Sequence, residues 1–361
     1  MSEMREEMLR TLDRLVEETL TTSVREAAEA ETTNASGAAA DTAVQPLWSA
    51  LDNAGFLAIA GAGGDADVTF ADAMALIRRS AYHALPVALG ETIIARWLAG
   101  RAGLALPEGT VGLAIATPRA PLRLAGRESL HQGDSITVAR RAGAPVLVAG
   151  LGNSGSEQIA LLDVGATPVV RSRNIAGEQR ETFALAPPHG GQKLIGHAVR
   201  ATATADLLAA GALLRAVQMT GALDRTLEHC LLWANDRVQF GRPIARFQAI
   251  QHQLAVLASE TAAAGAAVDQ AIEAAAHGPE FATVAIAKAR TGEAAGKAAN
   301  IAHAVFGAMG FTREHSLHYV TRRLWAWRNE FGGEAHWQAE LGRAVAGRGR
   351  DGLWPWLTAE R

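Results

Sequence analysis

The sequence predicts a mostly α-helical protein with a small antiparallel β domain at its centre, and three observations carry that prediction. Alanine-rich segments with apolar residues at helical spacing fill both ends of the chain. Short apolar runs punctuated by Gly, Pro, Asp or Asn begin at about Val111. A second change of texture follows at Pro187-Pro188-His189-Gly190-Gly191. The expected organisation is an N-terminal helical domain over 1–110, a β domain over 111–190 and a C-terminal four-helix bundle with a Trp-rich tail over 191–361.

Taken in order, Met8, Leu12, Leu15, Val16 and Leu20 recur at helical spacing and predict an amphipathic first helix. The small polar stretch Thr32–Ala43 reads as a loose loop. Helical patterns resume over Gln45–Ala54, Thr69–Ala81 and Leu85–Leu98. Gly61-Ala62-Gly63-Gly64 is a turn, because no Lys-Ser/Thr follows to make a phosphate loop. Strands are expected at Val111–Ala116, Ser135–Val138, Pro145–Ala149, Gln158–Leu162, Pro168–Val170 and Thr182–Leu185. Beyond Gly191 long helices are expected over Ala198–Asn235, Ile244–Ala276, Pro279–Met309, Ser316–Asn329 and Glu334–Ala346. Trp325, Trp327, Trp337, Trp354 and Trp356 concentrate in the tail, where they suit packing and a subunit interface.

Composition narrows the function. A net charge of -3 without blocks of like charge points away from nucleic acid and anionic membrane surfaces. No apolar run is long enough to span a bilayer. The charged, amphipathic N-terminus lacks the apolar stretch of a signal peptide. A single cysteine, Cys230, fits a reducing cytoplasm and reads as core packing. The histidines His303, His315, His318 and His336 lack metal-ligand spacing, and Ser154, Ser156 and Ser316 have no base at motif spacing.

The most informative stretch is Trp233 to Gln253, read as helix, break, helix, with Pro243 opening the second helix. Arg237, Gln239, Arg242, Arg246, Gln248 and Gln251 crowd the break. Guanidinium forks and an open helix N-terminus both suit a diphosphate. An ordinary helical hairpin with a solvated basic turn is the other reading.

The run Arg237-Val238-Gln239-Phe240-Gly241-Arg242-Pro243, continuing to Gln248, resembles the signature of the acyl-CoA dehydrogenase family. Val305-Phe306-Gly307-Ala308-Met309-Gly310-Phe311-Thr312 and Glu314 resemble a second motif of that family, in the right order. The resemblance implies an FAD-dependent enzyme that oxidises a CoA thioester to its enoyl form in fatty acid or steroid side-chain degradation. An electron-transfer flavoprotein is the implied acceptor. It further implies that Arg237, Phe240 and Gln248 contact FAD held mainly by a neighbouring subunit, with Gly307 and Gly310 allowing close backbone approach. The protein is then at least a dimer, a homo- or hetero-oligomer.

The family's catalytic glutamate matches less well. Aligned on Arg322-Arg323, its position falls on Phe331, with Glu330 immediately before it. Glu330 is the candidate proton abstractor; a helix-terminal Glu paired with Arg328 or Arg322 is the competing reading. The family's alternative position on the first bundle helix falls on Thr204, and Asp206 lies on a different face. The flavin-side runs of the β domain are also thinned, reading Ala116-Thr117-Pro118 and Ser135-Ile136-Thr137, and the glutamine expected before the second motif is Ala304. This pattern resembles degenerate subunits of heteromeric members, which lend FAD contacts to a partner that owns the base. A base-less structural subunit, or a flavin-free helical assembly protein, therefore stands beside the self-sufficient enzyme.

Overall fold

Met8, Leu12 and Val16 are buried at intervals of four along α1 (Glu3–Thr19), the spacing that puts one face of a helix against a core. The computed structural model describes residues 3–29, 38–59, 68–115, 135–139, 143–151, 157–165, 168, 170–184 and 193–358. The expected turn at Gly61–Gly64, the loop residues 32–37, the run 116–118, the serines 154 and 156, and the shift at 187–191 lie outside them. The chain forms two units, Met1–Ile77 with Leu85–Leu214, and Arg78–Ala84 with Arg215–Arg361.

In the first unit, α1 is followed by α2 (Thr22–Glu29), α3 (Ala38–Asn53), α4 (Phe70–Tyr82, its last residues counted with the second unit) and α5 (Leu89–Arg101). The last six residues of the stretch expected to be loop, Ala38–Ala43, belong to α3, because its alanines favour helix, and α3 carries Pro46 within it. The strands are β1 (Gly112–Ile115), β2 (Ser135–Ala139), β3 (Val146–Leu151), β4 (Glu157–Asp163), β5 (Val170–Arg173), β6 (Gln179–Ala184) and β7 (Lys193–Val199). One sheet has the order β1-β3-β4-β7 and the other β2-β6-β5. All these pairs are antiparallel except β1 with β3, which run parallel. Alternate residues such as Ile136 and Val138 join Val146, Val148, Ala160, Leu162 and Phe183 in a shared core. On the other face of β2, Thr137 bonds Thr182 across the ladder at 2.9 Å.

β7 corrects the sequence reading, which had helix from Ala198. Lys193–Val199 pairs antiparallel with β4, and the helix begins only at Ala203. The same helix carries residues of both units: α6 (Ala203–Asp236).

The second unit continues with a two-stranded ribbon, β8 (Val238–Gln239) and β9 (Arg242–Pro243), and then α7 (Gln248–Ala274), α8 (Phe281–Phe306), α9 (Leu317–Asn329), α10 (Glu334–Ala346) and α11 (Leu353–Thr358). α8 packs against α7, α9 and α10. Its inward residues, among them Ala285, Ala294, Ala298 and Ala302, are small and buried, so neighbouring backbones approach closely. The Glu280 carboxylate caps α8 by accepting the Thr283 N–H at 2.7 Å.

Here the break at 237–248 needs a second correction. Pro243 does not open a helix. It pairs with Val238 in the ribbon; residues Ile244–Arg246 form one 3-10 turn, and α7 starts at Gln248 after an extended Phe247. Phe240 and Gly241 have φ of +51° and +77°, as the two central residues of a tight turn joining twisted strands require. Of the tail tryptophans, Trp327 and Trp337 are buried, whereas Trp354 is exposed.

Candidate functional site

The turn between α9 and α10 is where the sequence places the catalytic carboxylate, and it is unusually constrained. Glu330 ends α9 with extended backbone. Phe331 and Gly332 follow with φ of +54° and +89°. A left-handed Phe costs about 1–2 kcal/mol, so the surroundings must hold it. They do so from three helices. Arg215 of α6, 2% exposed, brings Nε and Nη2 each to 2.7 Å from Glu330 Oε2, and its Nη1 donates to Gln218 Oε1. Lys288 of α8 donates from Nζ to the Arg328 carbonyl at 2.7 Å and the Gly332 carbonyl at 2.8 Å. Trp337 of α10 donates its indole N–H to the Phe331 carbonyl at 3.0 Å. Arg328 forks the Glu334 carboxylate at 2.5 and 2.8 Å.

Glu330 is therefore ion-paired, with Arg215, which the sequence reading did not weigh. Asp206 is paired too, accepting from Arg200 at 3.0 Å. Arg215 and Lys288 were not singled out in the sequence. Their signal was there: a lone cation inside an otherwise apolar run, Ala210–Val217 and Ala285–Ala289 respectively.

The ribbon presents the flavin-side candidates outward. Phe240 is 92% exposed, and Arg237 and Gln248 are exposed as well. Arg242 lies 4.3 Å over the Phe247 ring, and Phe240 meets the same ring edge-on at 6.0 Å, which braces the ribbon against the start of α7. No side chain caps that helix, so its first N–H groups add to the donors of Arg237 and Gln248. Such a set fits the diphosphate of a dinucleotide such as FAD, and the exposed Phe240 ring offers it an apolar contact.

Gly307 and Gly310 have reasons of their own to be glycine. Gly307 ends α8 at φ +61°. A Cβ at Gly310 would sit 2.9 Å from Phe306 Cβ and 3.2 Å from His303 Nδ1. The neighbouring His303 places Nε2 3.2 Å from Thr321 Oγ1 and stacks on Phe311, and burial lowers its pKa. Among the described residues no group of three His, Cys, Asp or Glu could hold a metal, and no helix is long and apolar enough to cross a membrane.

Cys230 is buried on α6, and burial pushes its thiol up to about 12. The folded chain is expected to leave an aromatic disulfide reagent unreacted at pH 8 and to release one thiol equivalent on denaturation, read by absorbance. Rapid reaction of the folded chain would contradict this burial.

Residues 201–334 match the acyl-CoA dehydrogenase, C-terminal domain family. Residues 201–334 thus carry an acyl-CoA dehydrogenase C-terminal domain, and the chain has the acyl-CoA dehydrogenase fold. Among curated relatives, the acyl-CoA dehydrogenase IpdE2 of Mycobacterium tuberculosis is 38% identical over 112 residues, 31% of this chain and 34% of IpdE2. The likeness thus spans about a third of that relative's length. The ChsE4-ChsE5 complex from Mycobacterium tuberculosis superposes with a TM-score of 0.77 at 18% identity, over 96% of this chain and 98% of that one. Glutaryl-coenzyme A dehydrogenase in its glutaryl-CoA complex gives 0.74 at 18% identity, over 96% of each chain. At such identities the structural likeness speaks for the fold.

Proposed function

We propose that this chain is a subunit of an FAD-dependent acyl-CoA dehydrogenase that works in a hetero-oligomer, with the proton-abstracting carboxylate on the partner. The observation that supports it is the Arg215–Glu330 pair. Removing the α proton of a CoA thioester demands a carboxylate free to accept it and made basic by its surroundings. A carboxylate gripped by a buried guanidinium is already engaged, and taking up a proton would leave that guanidinium without its counter-charge. Phe331, at the position the family reserves for the base, has no group to accept a proton.

In this reading Arg237, Gln248 and the first N–H groups of α7 bind the diphosphate portion of FAD lodged in the adjoining chain, and Phe240 covers its apolar part. Gly307 and Gly310 keep the neighbouring backbone low. FAD, when bound, accepts the β hydride; an electron-transfer flavoprotein is the proposed acceptor, and the product is an enoyl-CoA. The two-protein ChsE4-ChsE5 complex, which shares the fold, is consistent with a paired assembly.

The chain purified alone is expected to be colourless and inactive. Co-expressed with a dehydrogenase encoded beside it, it should co-purify yellow and oxidise acyl-CoA. Arg237→Ala should cut the flavin retained by that assembly at least ~10-fold, because a lost charge-assisted phosphate contact costs about 1.5–3 kcal/mol. A lone chain that is yellow and active would sink the reading, as would full flavin retention in the Arg237 variant.

A further inference from the structure

Beneath the Glu330–Gly333 turn the charges do not balance. Arg215 holds Glu330 and Arg328 holds Glu334. Lys288 forms an ion pair with neither; among the described residues its Nζ meets only the carbonyl oxygens of Arg328 and Gly332. Its side chain is 0% exposed, so bulk water does not reach it. An ammonium has three N–H donors and a neutral amine has two. Two acceptors are present, which match the two N–H groups of the neutral amine and leave one donor of the ammonium without a partner among the described residues.

We propose that Lys288 is a proton-sensitive latch on the Glu330–Gly333 turn, closed by the neutral amine and released by its protonation. Both acceptors lie where release would matter. One is the last-turn carbonyl of α9, and the other is the carbonyl of Gly332, immediately after the left-handed Phe331. With those bonds made, the Phe331–Gly332 backbone is held from α8 while Trp337 holds it from α10. Lys288 thus positions the backbone that carries Glu330 and Phe331, and forms a hydrogen bond with neither side chain.

The charged groups that act on it come from every packed side: Arg215 of α6, Arg328 and Glu330 of α9 and its end, and Glu334 of α10. Glu260 of α7 is taken up by Arg290 and Lys297. Burial is the largest influence, Arg215 adds to it, and the two carboxylates oppose it; together they bring the ammonium from 10.5 down to about 7. The sign follows. In the opened turn Lys288 is solvated and keeps its proton to about 10.5, so between about 7 and 10.5 the open form binds more protons than the closed one. Raising the pH through that window favours the closed turn. Below about 7 both forms are protonated and opening no longer depends on pH.

Native-state hydrogen exchange of the full-length chain, followed by mass spectrometry on the peptide that covers the turn and corrected for intrinsic exchange, tests this between pH 6 and 9.5. The opening constant should be flat below about 7 and then fall about tenfold per pH unit. Lys288→Met should abolish the pH dependence, because no titrating group remains. Lys288→Arg, which stays charged, should be flat as well and more open than wild type at pH 9. A flat wild-type profile overturns the latch even if neither variant folds, and a slope that persists in Lys288→Met assigns the titration to another group. The inference is independent of the proposed assembly; the experiment needs no flavin or partner, so its outcome is separate from that of the assembly test.

Discussion

A Glu330→Gln exchange is expected to destabilise the chain by about 3 kcal/mol, because neutralising one partner of a buried ion pair removes the counter-charge of the other. The group that loses its counter-charge is Arg215, 2% exposed, which also donates to Gln218 and lies with its guanidinium carbon 5.9 and 5.7 Å from the Trp327 and Phe331 rings. A neutral amide at position 330 does not replace the carboxylate's charge. The loss should appear as a lower denaturant midpoint with an unchanged slope. Turnover of the assembled enzyme, measured where the variant remains folded, should persist. The opposite outcome, abolished turnover at unchanged stability, would return the role of base to Glu330. The two roles thus separate on two instruments, and one substitution reads both.

Much of the architecture was legible in the sequence because helical periodicity and alanine content are local properties. Phe70–Tyr82, Leu317–Asn329 and Glu334–Ala346 lie within a residue of the helices expected there. Lys193–Val199 was not legible, since its strand character comes from β4, some thirty residues earlier in the chain, and its own Gly196 and His197 carry no strand pattern. Pro243 misled for a related reason: the residue suits a first helical turn, yet the cross-strand partner Val238 takes it into a ribbon. The site divides in the same way. The candidates Arg237 and Phe240 at the ribbon and Gln248 at the start of α7 come from a contiguous motif. Arg215 and Glu330 are 115 positions apart, and Lys288 and Gly332 are 44 apart, so their encounters are products of packing that no spacing rule reports.

Gly221→Ala is expected to destabilise the second unit. In an unconstrained helix it would be favourable by about 1 kcal/mol, because Ala is the better helix former. At Gly221 of α6 a Cβ would lie 2.0 Å from the carbonyl oxygen of Arg78 and 3.0 Å from the backbone nitrogen of Tyr82. Both are backbone atoms, so neither can swing aside; the α4 end and α6 must part by more than an ångström. That separation undoes bonds that depend on the close approach. Arg78 Nε donates to Asp224 Oδ2 at 2.9 Å, and the Tyr82 hydroxyl donates to Glu228 Oε2 at 2.5 Å. Overpacking of this kind costs about 1–3 kcal/mol and occasionally more. With the lost side-chain bonds added, the net effect should be about 3 kcal/mol of destabilisation by denaturant unfolding. Gly342 of α10 supplies the contrast: nothing lies within 4 Å of its Cβ position, and it is exposed. Gly342→Ala should therefore stabilise the chain by up to ~1 kcal/mol. Equal effects at the two positions would show that helix propensity, not the contact with Arg78, governs Gly221.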